Sequence, residues 1–522
     1  MDQRRLLLAV AICVLFLMVY QELVSRLYPR PQPSGPVGKP EAAAPPKPDT
    51  PHTPPPASGL AAPAAGGASP VEVATDVLHA AVTPLGARLS ALKLNQYRRT
   101  VGTESEPLDL VADGPLLPLT LQLGSTESDA AVRYECVPAR LVLHGLERGE
   151  IVCRGATPQG LSVEKRYSFV GNDYLFELGV NLGAGSPTRV IGVVVSAMPS
   201  ERPTGRAPGE VGLALSGTQV VQKGIADLEK QPVSVDAAAW VGFAAQYFLV
   251  AVAPEQGAAR GLLTSVDGTP IARLDAPLSN GGGQVAVYAG PKDRDDLVRA
   301  GHHFDRSLDF GWFWFIAIPL LRALQLLHRV TGNYGIAIIL LTTIIKIATI
   351  PLTQTTFRNM REMQKLQPQI TKLRERLKDD QLALQKEMMD LYKRHRVNPL
   401  SGCLPMLLQA PIFIGLYNAL GHAIELRHAP FALWIHDLSA PERLPVFGVG
   451  LPVLTLLMGG TMLLQQWMTP QQGDPTQQRM MMLMPVVFTV MFMNFPAGLS
   501  LYWLVNNILS VGHQYWMLRS EA

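Results

Sequence analysis

The sequence carries almost no excess charge. Its 522 residues contain 45 Lys and Arg against 42 Asp and Glu, which gives a net charge of +3. No basic run alternates with aromatic residues, whereas a nucleic-acid-binding protein concentrates Lys and Arg on one face or helix. We therefore expect no direct binding to nucleic acid.

Signatures of catalysis and metal binding are also missing. Histidines of the central region, among them His79 and His144, show no metal-ligand spacing. No Ser/His/Asp grouping and no pair of carboxylates stands out, although such groups build many catalytic sites. We expect a protein that is not an enzyme and that needs no cofactor or metal ion.

Hydrophobic residues, by contrast, are abundant. They make up 48% of the chain, and its mean hydropathy is +0.15. This composition is too apolar for an ordinary soluble chain and too polar for a protein that lies entirely in a membrane. Two regions of different character are therefore predicted.

One apolar run, Tyr334 to Leu352, contains a single charged residue. At about 1.5 Å per residue, its nineteen residues can cross a hydrocarbon core of about 30 Å as a helix. A lysine near the end of such a helix can snorkel to the interface. A matching polar stripe favours instead a functional cation inside the membrane. The stripe recurs at i, i+4, i+7 and i+11: Thr342, Lys346, Thr349 and Thr353.

The N-terminal 70 residues predict an anchor and a linker. Arg4 and Arg5 precede an apolar run from Leu6 to Tyr20, as in a secretory signal, and no small-x-small cleavage site follows directly. Residues 1–28 therefore predict an uncleaved signal anchor whose N-terminus lies in the cytoplasm. Residues 29–70 contain fourteen prolines and predict an extended Pro/Ala-rich linker.

Residues 71–305 alternate short apolar segments with Gly, Pro, Asn and Asp, which is typical of an antiparallel β-sandwich. The clearest hairpin joins Ser162–Val170 to Tyr174–Leu182. Cys136 and Cys153 lie in neighbouring predicted strands. In an extracytoplasmic domain they form a disulfide or remain two buried thiols, and the sequence leaves both open.

The following residues predict an amphipathic helix and a polar hairpin. Residues 306–332 place Arg and His at helical intervals beside aromatic residues, so we expect a helix that lies in the membrane interface. Residues 333–352 form the second transmembrane helix. Residues 353–403 predict two antiparallel helices with eleven Lys and Arg against six Asp and Glu, which places this hairpin in the cytoplasm. The basic charge serves as a topology signal with lipid contact or as a ribosome-docking surface.

Residues 404–518 contain four further apolar runs, which brings the predicted spans to six. Both termini are then cytoplasmic and the large domain is periplasmic. Several spans contain Gln or Asn, for which helix packing is a sufficient explanation. The runs are Leu404–Leu420, Leu451–Trp467, Met480–Phe495 and Leu499–Leu518.

Three ordered motifs resemble the YidC family of membrane-protein insertases, and the resemblance extends over the whole chain. It implies a polytopic α-helical inner-membrane protein with six transmembrane helices, a five-helix insertase core and a large periplasmic all-β supersandwich domain. The motifs are Asn398–Pro405 with Gln409–Phe413, Ala429–Ser439, and Met484–Pro485 through Phe495–Trp503.

The resemblance also implies a function. Members act as insertases and chaperones in protein transport, alone or with the Sec translocon, through a hydrophilic groove in the membrane. The implied partners are nascent membrane proteins, the Sec translocon, the ribosome through the hairpin, and lipids. The family usually has arginine, phenylalanine and tyrosine where this chain has Lys346, Met491 and Trp503. Candidate groove residues are Lys346, Thr342, Thr349, Gln409, Phe413, Met491, Tyr502 and Trp503.

Two other classes of protein fit parts of the pattern. A secondary transporter could use Lys346 and the membrane glutamines to bind a solute or ion, but transporters usually show internal repeats and none is found here. A periplasmic enzyme or sugar binder could be anchored by the spans, but one anchor would suffice for that role.

Overall fold

A computed structural model describes residues 69–102, 104–112, 116–124, 127–183, 190–196, 198, 210–257, 259–266, 269–377, 380–395, 397, 404–469 and 475–520. The predicted signal anchor and nearly all of the predicted linker lie outside these residues, as does the Asn398–Cys403 part of the first motif. The described residues fall into two compact units, a β-rich unit up to Asp309 and a helical unit from Phe310 onward.

The β-rich unit consists of two sheets. A five-stranded sheet has the order β4-β3-β2-β1-β8, and a fourteen-stranded sheet has the order β6-β5-β12-β18-β17-β15-β16-β19-β11-β10-β9-β7, with β13 and β14 added beside β15. The strands are β1 (Val71–Ala74), β2 (Leu78–Thr83), β3 (Arg88–Arg98), β4 (Pro107–Asp109), β5 (Thr120–Leu123), β6 (Glu127–Ser128), β7 (Tyr134–Val137), β8 (Arg140–Val142), β9 (Arg148–Ala156), β10 (Ser162–Val170), β11 (Leu175–Leu182), β12 (Val190–Ser196), β13 (Val211–Ser216), β14 (Gln219–Gly224), β15 (Val233–Ala244), β16 (Phe248–Pro254), β17 (Ala259–Val266), β18 (Thr269–Pro277) and β19 (Gly282–Pro291).

Among the described strands every pairing is antiparallel except that of β1 with β8. The prediction of a large β-rich domain is therefore confirmed. The predicted hairpin is confirmed as β10 and β11, which pair from Val163 with Leu182 to Ser168 with Glu177. Two short helices, α1 (Ile225–Leu228) and α2 (Arg294–Ala300), complete this unit.

Strand β10 shows how alternation in the sequence builds the core. Its inward positions include the fully buried Tyr167 and Phe169, as a two-residue period requires. Lys165 also points inward, and its ammonium lies 2.6 Å from the Asp129 carboxylate and donates to three backbone carbonyls. Burial lowers the pKa of Lys165. The charge is tolerated because it is paired and fully hydrogen-bonded.

The two cysteines of the β-rich unit form a disulfide. Cys136 on β7 stands directly opposite Cys153 on β9, and their sulfur atoms are bonded. Of the two alternatives that the sequence leaves open, the structure therefore shows the disulfide.

The helical unit has seven described helices and a small hairpin. The strands are β20 (Leu444–Val446) and β21 (Val449–Leu451). The helices are α3 (Trp314–Thr331), α4 (Tyr334–Arg376), α5 (Gln381–Arg394), α6 (Leu404–His422), α7 (Val453–Met468), α8 (Pro475–Phe492) and α9 (Ala497–Ser520).

Helix α4 continues through the predicted boundary between membrane and cytoplasm. The sequence predicts a transmembrane helix that stops at residue 352, but α4 runs 43 residues to Arg376, about 65 Å. Its second half packs against α5 through Leu366, Ile370 and Leu391, and Arg376 bonds Glu387 at 3.1 Å. The second half of α4 and α5 therefore pack side by side, and the bounds of the predicted hairpin stay a prediction.

The four predicted C-terminal runs coincide with α6 to α9. The third of them ends at Phe492 instead of Phe495, because a turn precedes Pro496, and the residue before a proline disfavours helix. By length and apolar composition, one described helix, α4, can cross a membrane, and α8 contains a shorter apolar stretch, Met482–Phe492. The count of six spans stays a prediction.

Candidate functional site

The polar stripe of α4 meets α9 at one hydrogen bond. Lys346 Nζ donates to Ser510 Oγ at 2.6 Å, and Ser510 donates to Asn506 O at 2.6 Å on its own helix. Lys346 is half-buried. In the described part of the chain no carboxylate forms an ion pair with it, so the cation lacks the partner that a buried charge normally requires.

The threonines of the stripe have their hydroxyl groups bonded within α4. Thr342 donates to Ile338 O at 2.6 Å, and Thr349 donates to Lys346 O at 3.0 Å. Thr342 is buried, whereas Thr349 is half-buried. Threonine often satisfies its hydroxyl in this way inside a helix. The threonines therefore make the stripe polar without binding Lys346 through their side chains.

A second group of predicted residues lies between α6 and α9. Gln409 Nε2 donates to the hydroxyl oxygen of the buried Tyr502. Phe413 packs edge-on against Trp503, with ring centroids 4.6 Å apart. Four of the predicted residues thus pair across one helix contact. Trp503 and Tyr502 share α9 with Ser510, so α9 links this group to Lys346.

Aromatic residues that the sequence reasoning missed surround Phe413 and Trp503. Phe492 lies 5.2 Å from Trp503, and Phe488 lies 6.0 Å from it, measured between ring centroids. Their i, i+4 spacing on α8 was the available signal. We call the set the aromatic cluster: Phe413, Tyr417, Phe488, Phe492, Phe495 and Trp503.

Met491 is not brought into either group. Its side chain is 37% exposed, whereas that of the neighbouring Phe492 is 1% exposed. Met491 belongs to a largely exposed apolar surface on α8, which we call the α8 surface: Met482, Leu483, Met484, Val486, Val487, Val490 and Met491. Methionine in such a surface adapts to varied apolar partners.

A row of hydrogen bonds holds an adjoining face of α9 against α7 and its C-cap Thr469, and the sequence reasoning did not find it. The three contacts recur every seven residues along α9, the period that keeps one face towards a neighbouring helix. We call them the polar ladder: Ser500 with Thr455 at 3.5 Å, Asn507 with Thr461 at 3.4 Å, and Gln514 with Thr469 at 3.3 Å.

The loop between α6 and α7 positions the starts of two helices. Glu442 accepts hydrogen bonds from Leu454 N at 2.7 Å and from Trp434 Nε1 at 2.9 Å, so a carboxylate caps α7 where the helix dipole favours negative charge. The first amides of α9 donate to the carbonyls of Leu438 and Ala440. Two of the family-like motifs therefore meet at this loop.

Comparisons with known proteins cover both units. The family described as "60Kd inner membrane protein" matches residues 326–522, and the family described as "YidC periplasmic domain" matches residues 70–323. The first match lies within the helical unit, whereas the second covers the β-rich unit and extends into α3.

Similar proteins named "Membrane protein insertase YidC" are found in several bacteria. The one from Syntrophobacter fumaroxidans is 39% identical over 468 residues and covers 83% of each chain. The one from Geobacter sulfurreducens is 40% identical over 450 residues, also 83% of each. The one from Geobacter metallireducens is 36% identical over 545 residues, 100% of this chain and 99% of its own.

Two solved structures are also similar. One is described as an active YidC insertase with the first transmembrane domain resolved; it is 19% identical, has a TM-score of 0.38, and the match covers 87% of this chain and 93% of that chain. The other, YidC from Thermotoga maritima, is 15% identical with a TM-score of 0.32, and the match covers 85% and 99%.

Proposed function

The chain belongs to the YidC family of membrane-protein insertases, and from this premise we propose that its helical unit inserts nascent membrane proteins through a hydrophilic groove. It is an inner-membrane protein with a periplasmic β-rich domain. The observation that carries the groove proposal is Lys346: its ammonium bonds Ser510 and has no carboxylate partner among the described residues.

The proposed mechanism assigns the two parts of a substrate to two surfaces. Lys346 attracts acidic residues in the substrate segment that crosses the membrane, because the charge of a half-buried ammonium is weakly screened. The α8 surface and the aromatic cluster receive the apolar segment, which then leaves sideways into lipid. Thr342, Thr349, Gln409, Phe413, Met491, Tyr502 and Trp503 complete the groove in this proposal.

The proposed topology has six spans with both termini in the cytoplasm. The periplasmic part extends from about residue 28 to about residue 330, and α3 lies in the membrane interface. The basic hairpin of α4 and α5 is cytoplasmic, which supports its proposed contact with lipid or a ribosome. The same core is proposed to work alone or beside the Sec translocon.

No observation favours the transporter alternative. A transporter of this kind would direct its membrane glutamines towards the cation, but Gln409 donates to Tyr502. The chemistry of insertion needs no covalent step in this account, so we propose neither a catalytic residue nor a cofactor.

Reconstitution tests the proposed function. The purified full-length protein in vesicles should make a single-span reporter resistant to external protease across its translocated tail, and empty vesicles should not. Equal protection in both would contradict the proposal.

A further inference from the structure

Helix α9 carries a second polar stripe that faces the stripe of α4. Asn506, Ser510 and His513 recur at i, i+4 and i+7, the same spacing as Thr342, Lys346 and Thr349 on α4. The Lys346–Ser510 hydrogen bond joins the two stripes. The polar ladder occupies the adjoining face of α9, about a quarter turn away, and His513 lies on the far side of Ser510 from it.

His513 is the member of this stripe with an unused polar atom. Its Nε2 is buried and has no hydrogen-bond partner among the described residues. It follows Ser510 by three residues, a spacing that puts two side chains about 5–6 Å apart on one helix face. An electrostatic interaction couples the imidazole to Lys346. A buried polar atom without a partner is costly, which suggests a ligand that supplies one.

We infer that His513 is a second anchor for substrate carboxylates: an aspartate or glutamate of the translocated segment binds between Lys346 Nζ and His513 Nε2. The inference rests on the proposed function and extends it. The protonated imidazole donates a charge-assisted hydrogen bond to the carboxylate, which is stronger than the bond from a neutral ring. The arriving carboxylate also offsets repulsion between the two cations, so its binding brings a proton to His513.

Among the described groups, Lys346 is the one that acts electrostatically on His513, so proton uptake by His513 depends on Lys346 and on the arriving carboxylate. Helix α7, which carries the polar ladder, has no titratable residue between Val453 and Met468. The other charged or titratable groups on the packed helices are Tyr417 and His422 on α6, Tyr334 and the residues from Arg358 onward on α4, and Tyr502, Tyr515 and Arg519 on α9 itself.

The inference predicts a pH dependence that is specific to acidic substrates. Imidazole changes its charge between about pH 5 and pH 8, whereas aspartate, with an ordinary pKa of about 3.9, stays ionised over the range compared here. Full-length protein in phosphatidylcholine vesicles should insert a histidine-free reporter with tail aspartates about two- to fivefold better at pH 6 than at pH 8, the effect of one water-accessible ion pair. The same reporter with asparagines should show no such change.

Two variants separate this inference from the proposed function. His513→Gln should abolish the pH dependence, whereas Gln514→Ala should keep it, because Gln514 bonds Thr469 on the ladder side of α9. A wild-type protein without tail-specific pH dependence, or a His513→Gln protein that retains it, would overturn the second anchor. If Lys346→Ala still impairs acidic tails selectively in those cases, the proposed function stands while the inference fails.

Discussion

Lys346 on α4 donates a 2.6 Å hydrogen bond to Ser510 on α9, 164 positions later in the chain. Helix α9 is itself held by the polar ladder to α7 and, at its first amides, by the carbonyls of the loop. The position of the cation is therefore set by helix packing as well as by its own flexible stem. Substitutions that disturb the packing of α9 should therefore displace the Lys346 ammonium without removing its charge.

The packing of α7 against α8 is tested by one substitution with a matched control. A methyl group at Gly459 would overlap the Thr489 side chain, whereas one at the adjacent Gly460 would meet no atom within 4 Å. Gly459→Ala should lower the free energy of unfolding by about 1–3 kcal/mol. Gly460→Ala should leave it unchanged or raise it by about 0.5–1 kcal/mol, because alanine favours helix. Thermal unfolding of the full-length protein in detergent measures both, and equal melting of the two variants would contradict the described packing.

A buried lysine in the β-rich unit predicts a pH-dependent stability. Lys292 is 7% exposed, and its Nζ lies 3.4 Å from Ala245 O. Burial lowers its pKa from 10.5 to about 8, partly offset by attraction to Asp309. The folded state then binds the proton less tightly than the unfolded state. Burial of Lys292 therefore lowers the free energy of unfolding of the β-rich unit at pH 7, and this loss is recovered as the pH rises from about 8 towards 10.5.

Replacement of Lys292 tests that sign. Lys292→Met should stabilise the β-rich unit at pH 7, and its advantage should shrink by about 2 kcal/mol at pH 9.5. The exposed Lys223→Met serves as the control and should show no such trend. Pulse proteolysis of the full-length protein in urea gives both stabilities. An advantage of Lys292→Met that grows with pH would reverse the proposed sign.

The proposed topology predicts a protease pattern. Protease added to spheroplasts should digest the β-rich unit, residues 71–305, and spare the α4–α5 hairpin, because the hairpin is basic and the positive-inside rule keeps it in the cytoplasm. Inverted membrane vesicles should show the opposite pattern and serve as the control. Cleavage of the hairpin in intact spheroplasts would contradict the scheme.

The separation into two units predicts that the helical unit carries out insertion without the β-rich unit. Every candidate groove residue lies in the helical unit. Deletion of residues 71–290 should therefore leave insertion largely intact, whereas deletion of Arg361–Lys393, which removes Leu366, Ile370 and Leu391 of the hairpin core, should abolish it. Insertion of a single-span reporter, normalised to the amount of protein in the membrane, measures both. Loss of insertion in a stably expressed protein that lacks residues 71–290 would contradict the assignment of insertion to the helical unit.

The periodicity of the sequence predicted the bounds of individual strands and the polar face of individual helices. The alternation of Ser162–Val170 identified β10 with its bounds, and the threonine stripe identified the face of Lys346. Periodicity did not predict the hydrogen-bond partners of Lys165 and Lys346. Asp129 lies 36 positions before Lys165, and Ser510 lies far beyond Lys346, so both pairs exist because tertiary folding brings distant segments together.

The end of α4 shows a second limit of sequence reasoning. Apolar residues give way to polar ones after Leu352, and this change predicted the end of a helix. Hydropathy reports the surroundings of a helix, whereas a helix ends where its backbone hydrogen bonds end, here at Leu377. The aromatic cluster was missed for a related reason, since its members come from three helices and from the turn before α9, and no single segment encodes contacts among them.

The charge at position 346 is the central element of the account. Lys346→Arg should be tolerated, because arginine keeps the charge and the resemblance to the family implies arginine here. Lys346→Ala should lose the attraction for acidic tails while the α8 surface still receives the apolar segment.

The most direct test compares insertion by Lys346→Ala of one single-span reporter with tail aspartates and with the same positions changed to asparagine. We expect Lys346→Ala to reduce insertion of the aspartate tail by about fivefold or more and to leave insertion of the asparagine tail nearly unaffected, because one ion pair in a weakly screened site is lost. Equal loss for both tails, or no loss for either, would show that Lys346 snorkels or packs and does not recruit substrate.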